Sequence, residues 1–181
     1  MALKSTIFKA ELQIADMERN YYREHVLTLA RHPSETDERL MVRLLAFALN
    51  ASDSLAFGRG LSAEDEPDLW QKYLTGVIEL WIEVGLPDPK AIRRACGRAR
   101  QVKLYCYGGS AAALWWQQAR EVLGRSDNLT VIDLTLESTR AMAALAQRNM
   151  QLQCTVQDGL IWLHTDEGAA QVEPVTLKQA A

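Results

Sequence analysis

The stretch from residue 77 to residue 107 limits what this chain can fold into more than any other. Val77-Ile78-Glu79-Leu80-Trp81-Ile82-Glu83-Val84-Gly85 is nearly continuous in apolar and β-branched residues, the pattern of a strand covered on both faces. Asp88-Pro89 reads as an N-cap followed by proline at the first helical position, and Ala91, Ile92, Ala95, Cys96 and Ala99 recur at helical spacing. Gln101-Val102-Lys103-Leu104-Tyr105-Cys106-Tyr107 closes the unit as a second strand, Val102, Leu104 and Cys106 alternating with Lys103, Tyr105 and Tyr107. Strand, helix and strand joined this closely predict a right-handed βαβ unit with parallel strands.

The remaining segments fit around that unit. Residues 5–15 alternate, with Phe8, Ala10, Leu12 and Ile14 on one face, and 22–31 carry Val26, Leu27 and Leu29. Together they predict an antiparallel pair with one wet face. After Pro33 the period changes: Ser34 with Asp37 suggests a capping box, and Leu40, Met41, Leu44, Leu45 and Ala48 predict a helix to about residue 50. Its polar face carries Glu35, Arg39 and Arg43, read as a solvated ladder of alternating sign in which Glu38 and Arg43 border a cleft.

Residues 51–66 read as a loop with Phe57 and Leu61 tucked down, and the acids Glu64, Asp65, Glu66 and Asp68 as a solvated cluster. Residues 69–73 fit a short strand or a helical turn. Further on come a helix from Gly108-Gly109-Ser110 to about 124, a strand at 129–134, and a helix capped by Thr135 and reaching 149. Residues 150–157 alternate, Asp158-Gly159 marks a hairpin returning through 160–164, and a last strand near 172–177 precedes a frayed end within a tail of about 168–181. The expectation is one α/β domain over 1–181: a mixed central β-sheet flanked by helices, an N-terminal antiparallel pair and a C-terminal hairpin.

Composition narrows the function. The chain has 181 residues, the size of one domain, with 48% hydrophobic and 24% charged residues, which argues against disorder. Its net charge of -3 provides no global basic field, so a nucleic-acid surface must be a local patch and an anionic membrane is not an expected partner. Three scattered cysteines and three histidines without ligand spacing argue against structural zinc and a disulfide framework. Met-Ala-Leu-Lys-Ser-Thr at the start lacks an apolar signal core, and no run approaches a membrane span, so the cytoplasm is the expected compartment. Composition does not indicate an oligomeric state.

The candidate chemistry centres on the carboxylates. Two acids, Glu79 and Glu83, share a face of a mostly buried strand, and an unpaired buried charge is costly, so each needs a partner, a metal or water. Asp68 and Glu83 as oxygen ligands of magnesium or manganese, with Lys103 beside the scissile phosphate, would make a phosphodiesterase site. An ion pair between Glu83 and Lys103 explains the same residues and, on chemistry alone, stands ahead. Lys90, Arg93, Arg94, Arg98 and Arg100 form the one basic patch, more often a solvated face, yet placed to flank the candidate site for a nucleic-acid substrate. Gly108-Gly109-Ser110 with Asp133 is a weak nucleotide-binding signal, since the full glycine pattern is missing, and a turn with Ser110 as N-cap explains it better. Trp115 and Trp116 cannot both face one way on a helix; one is expected at a boundary. Cys96 and Cys106 read as small core residues.

The whole chain resembles the YaeQ family of bacterial proteins, most tellingly in Ile-Glu-Leu-Trp-Ile-Glu-Val-Gly (78–85) and Val-Lys-Leu-Tyr-Cys-Tyr (102–107). The resemblance implies a variant of the PD-(D/E)xK restriction-endonuclease-like fold and a suggested link to transcript elongation. Pro67-Asp68 matches the P-D of that motif and Glu83 its second acid; Gly85 stands where the lysine belongs, so Lys103 would be a migrated lysine, and Glu38 would supply the additional acid some members use. These residues imply a magnesium- or manganese-dependent nuclease, with a non-catalytic nucleic-acid- or protein-binding module as the alternative.

Overall fold

The computed structural model describes residues 4–60 and 65–181. The expectations for Met1-Ala2-Leu3, Leu61 and Glu64 lie outside the described residues.

The strands divide between two mixed sheets. One runs β10-β9-β8-β1-β2, from β1 (Thr6–Asp16), β2 (Tyr21–Arg31), β8 (Asn149–Gln157), β9 (Leu160–Thr165) and β10 (Gly168–Val172). The other runs β11-β7-β6-β5-β4-β3, from β3 (Leu55–Phe57), β4 (Leu69–Lys72), β5 (Ile78–Val84), β6 (Ala99–Tyr107), β7 (Leu129–Leu134) and β11 (Pro174–Lys178). The expected mixed α/β class and N-terminal antiparallel pair are present, and β1 also pairs in parallel with β8, about 140 residues away in the chain. The β8–β9 hairpin turns at Asp158 and Gly159, both at positive φ (53° and 77°), as a tight I′-type turn requires.

Four helices complete the fold: α1 (Asp37–Asn50), α2 (Pro89–Arg98), α3 (Ser110–Leu123) and α4 (Leu136–Ala143). The first is buried almost all the way round, from Leu40 to Ala48. That is the signature of a helix enclosed on every side. Its side chains share one core with Phe8, Leu12 and Leu29 of the five-stranded sheet and with Leu69, Leu80, Ile82 and Val84 of the six-stranded one. The opposite face of the six-stranded sheet forms a second core, where Trp81, Val102, Leu104 and Cys106 meet Ile92 and Ala95 of α2 and Ala119 and Leu123 of α3. No helix among the described residues is long and apolar enough to cross a membrane.

Several local expectations need correction. Thr36, not Ser34, caps α1, its hydroxyl accepting from the Arg39 amide at 3.1 Å. Gly109 precedes α3 at φ 63°, leaving Ser110 as the first helical residue rather than the cap. The fourth helix stops at Ala143, six residues early, and β3 occupies part of the expected 51–66 loop. The tail is ordered by pairing: β10 joins β9, β11 joins β7, and the Ala181 amide donates to the Asp127 carbonyl at 2.8 Å. The supposed solvated face of α1 is buried, with Glu35 only 6% and Arg43 2% exposed.

The C-terminal turn of α1 carries no basic residue of its own. Arg19, in the β1–β2 turn, takes that place. Its guanidinium is tethered to Asp16 at 2.7 Å and donates to the Ala48 and Ala51 carbonyls at 3.1 and 3.2 Å. A cation on the orphan carbonyls also complements the helix dipole. Arg19→Ala is expected to destabilise the protein by about 1–2 kcal/mol in urea denaturation; an unchanged midpoint would show that the cap contributes nothing.

Candidate functional site

At one end of the β4–β5 pair the chain brings two carboxyl groups together. Leu69 pairs with Ile82 and Trp70 with Trp81, so Asp68, immediately before β4, comes level with Glu83. The two carboxyls lie close enough for the Asp68 charge to act directly on Glu83. One Asp68 oxygen accepts the Val84 amide at 2.9 Å, the other accepts Arg39 Nη2 at 2.6 Å, and Glu83 accepts the Trp81 indole N–H at 2.9 Å. Asp68 is buried and Glu83 half-buried.

Confinement shifts their chemistry. Burial, and next the Asp68 charge, push the Glu83 carboxyl up to about 8, against the pull of the Trp81 hydrogen bond and Arg39. Near neutral pH Glu83 therefore keeps its proton beside Asp68. Arg39 supplies the matching positive charge: burial works against its protonation, but Asp68 and Glu35 more than offset that, and its pKa is raised. Behind it Glu35 accepts Arg39 at 2.8 Å and Arg43 at 2.6 Å, forming a chain of charges from the interior to the pair.

Tyr107, the last residue of β6, completes the cluster, and the sequence reading missed it. Burial raises its pKa foremost, and its hydroxyl feels Arg39, Glu38, Glu35 and Asp68 together. That brings Glu38, half-buried in the first turn of α1, into the neighbourhood expected for it. The signal available in the sequence was the final position of a parallel strand, where sites on open α/β sheets gather.

Lys103 goes elsewhere. In the parallel β5–β6 register Ile82 pairs with Lys103 and Glu83 with Leu104, so Lys103 shares the α1 face with Ile82 while Glu83 shares the opposite face with Leu104. Its ammonium donates to Asn50 Oδ1 at 2.7 Å, at the far end of α1 from Arg39 and about 16 Å away along the helix. Neither the migrated-lysine role nor the Glu83–Lys103 ion pair is built here. Gly85 holds φ 105°, a conformation that L side chains rarely adopt, so a lysine at the motif's usual position would be strained.

Lys90, Arg93, Arg94 and Arg98 are all exposed on α2, whose cap is Asp88, accepting the Lys90 amide at 2.8 Å. Arg98 lies over Trp81, whose indole donates to Glu83, its guanidinium 4.9 Å from the centre of the Trp81 ring. Trp115 and Trp116 are both half-buried, the first donating its N–H to the Pro87 carbonyl at 2.9 Å. Asp133 is half-buried, with one carboxylate oxygen lacking a hydrogen-bond partner, and burial raises its pKa.

Comparison with known proteins identifies the lineage. The YaeQ protein family model matches residues 1–174. The chain belongs to the YaeQ family. The YaeQ protein of Escherichia coli (strain K12) is 46% identical over 179 residues, 99% of each chain, and that of Salmonella typhi is 45% identical over the same length. Among solved structures, the YaeQ protein of Xanthomonas axonopodis pv. citri is 51% identical with a TM-score of 0.94, covering 98% of this chain and 99% of its own. That of Pseudomonas syringae is 34% identical with a TM-score of 0.92, covering 97% of both chains. These names bring a family and a fold, not an activity.

The raised Glu83 pKa has a stability consequence. Between about pH 4.5 and 8 the folded protein keeps a proton that the unfolded chain releases, so stability falls as pH rises through that window. Glu83→Gln keeps the acceptor for Trp81 and cannot ionise. Its melting temperature is expected to gain on the wild type between pH 5 and pH 8 by roughly 3–6 °C in metal-free buffer; a constant difference across that range would place Glu83 at an ordinary pKa.

Proposed function

We propose that the Asp68–Glu83 site hydrolyses phosphodiester bonds of nucleic acid with a divalent cation, magnesium or manganese, as cofactor, within a single nuclease-like domain acting in the cytoplasm. The observation that carries this reading is the convergence of two carboxyls, Asp68 just before β4 and Glu83 near the end of β5, at one end of the sheet, where burial first and the Asp68 charge second favour a proton on Glu83. Such a pair offers only oxygen donors, the chemistry hard divalent cations prefer. Among the described residues no third His, Cys, Asp or Glu completes the set. Magnesium suits such a site because it usually keeps several waters. A bound cation would polarise the phosphodiester and lower the pKa of a coordinated water.

The protein groups have separate tasks. Asp68 and Glu83 would hold the cation once the pair gives up its proton. Arg39, now satisfied by Asp68 and Glu35, presents a planar donor fork that matches phosphate oxygens and would take the charge-stabilising part that the absent lysine plays elsewhere. Arg98 and the exposed cations of α2 would neutralise flanking backbone phosphates.

The second reading, a non-catalytic nucleic-acid- or protein-binding module, is favoured by one observation: the two positions considered for a motif lysine, Gly85 and Lys103, provide none at the pair. Manganese or magnesium titration decides between them, following melting temperature and cleavage of mixed DNA and RNA. Expected are metal-dependent stabilisation and cleavage in the wild type, loss of cleavage by about a hundredfold or more in Asp68→Asn and Glu83→Gln, and retention within a few-fold in Lys103→Ala. No metal shift and no cleavage in the wild type would leave the binding module as the function.

A further inference from the structure

The same sheet end carries a second feature that the carboxyl pair does not use. Trp70 and Trp81 are cross-strand neighbours, packed edge to face with ring centres 6.0 Å apart. Trp81 is buried under Arg98, but Trp70 is half open, with the ammonium of Lys72 held over its ring at 3.7 Å. On the other side, the β3 residue paired with Trp70 is Ala56, an exposed methyl that hides little of the indole. Past Lys72, Tyr73 is 47% exposed with the Arg100 guanidinium 5.8 Å from its ring centre. Aromatic rings and cations thus alternate along a strip from Tyr73 and Arg100, through Lys72 and Trp70, to Trp81 and Arg98, beside Glu83.

In a protein of net charge -3, Lys72, Arg98 and Arg100 gather here. Of the nearby acids, Glu79 is paired with Arg100 and Glu66 with Arg59. Lys72 and Arg98 lie against indole rings, and Arg100 lies near the Tyr73 ring while also pairing with Glu79 at 3.4 Å. Exposed lysine over an indole is a loose contact, which another flat face can displace.

We infer that this strip is the docking track for single-stranded nucleic acid, with one base stacking on Trp70 in place of Lys72 and the displaced lysine, Arg98 and Arg100 contacting backbone phosphates. A duplex fits poorly, because its bases already stack on one another and offer no faces to Trp70 or Tyr73. An unpaired strand offers both components that single-strand sites use, base faces for aromatic rings and phosphates for a line of cations. The track runs to the Asp68–Glu83 pair, so the inference names the substrate class of the proposed nuclease. It rests on that reading only for what happens where the track ends.

Binding is measured apart from cleavage, by anisotropy of a labelled 20-nucleotide oligothymidylate and of a 20-base-pair duplex, in EDTA, from 50 to 200 mM salt. Expected is tighter binding of the single strand, by tenfold or more, with Trp70→Ala weakening it about tenfold and Trp70→Phe, which keeps a ring, restoring most of it. Lys72→Ala and Arg100→Ala, both at exposed positions, are expected to lower the salt slope by about 1 each. Preference for the duplex, binding of neither probe at 50 mM salt, or indifference to all four substitutions would overturn the inference. Single-strand binding without cleavage in metal would sink the nuclease and keep the track; metal-dependent cleavage unaffected by Trp70→Ala and Lys72→Ala would do the reverse.

Discussion

The charge chain from Arg43 through Glu35 and Arg39 to Asp68 holds the rest of the structure in place. Glu35 sits just before α1, Arg39 and Arg43 follow at helical spacing, and Asp68 enters from the six-stranded sheet. Arg43 is also bonded to the Ala30 carbonyl of β2 at 3.1 Å, so one set of ion pairs touches both sheets and the helix between them. Apolar packing around α1 is non-directional and by itself leaves the helix free to slide or turn. Buried charges are directional. Loss of one partner strands the others, at a cost of about 3–5 kcal/mol. What fixes the helix therefore also fixes the guanidinium over the carboxyl pair.

That coupling explains why the site has its present character. A carboxyl pair at a strand end would ordinarily be pulled apart by repulsion or flooded by water. Here Arg39 supplies one positive charge, the proton kept on Glu83 supplies another, and the Val84 amide and Trp81 indole satisfy remaining acceptors. The arrangement is neutralised without a metal yet built only from groups that a metal can replace: a proton that leaves and an arginine that can turn to an incoming phosphate. The aromatic and cationic strip alongside gives the same sheet end a way to hold a strand of nucleic acid while that exchange takes place.

Much of this was legible in the sequence, and the failures have physical causes. The βαβ unit, the N-terminal pair and the Asp158-Gly159 hairpin follow from local periodicity and turn chemistry, and they formed as read. Convergence of Asp68 and Glu83 also followed, through the motif. Period two places side chains on faces within a strand but says nothing of register between strands, and one step of register sent Lys103 to the opposite face from Glu83. Spacing of four residues is the same for a solvated ladder as for a buried one, so Glu35, Arg39 and Arg43 were misread until the second sheet covered them. That sheet was itself invisible locally, because β1 meets β8 only across about 140 residues. Ser34 and Thr36 are both good caps, and only backbone geometry chooses.

The most direct test is where a manganese ion settles. Anomalous diffraction from crystals grown with manganese at pH 8.5, above the Glu83 pKa of about 8, is expected to show one ion between the Asp68 and Glu83 carboxylates, with Arg39 withdrawn from Asp68. Density for manganese elsewhere, or none, with the Arg39–Asp68 contact intact, would contradict the metal centre and leave the pair as a structural clasp between α1 and the six-stranded sheet.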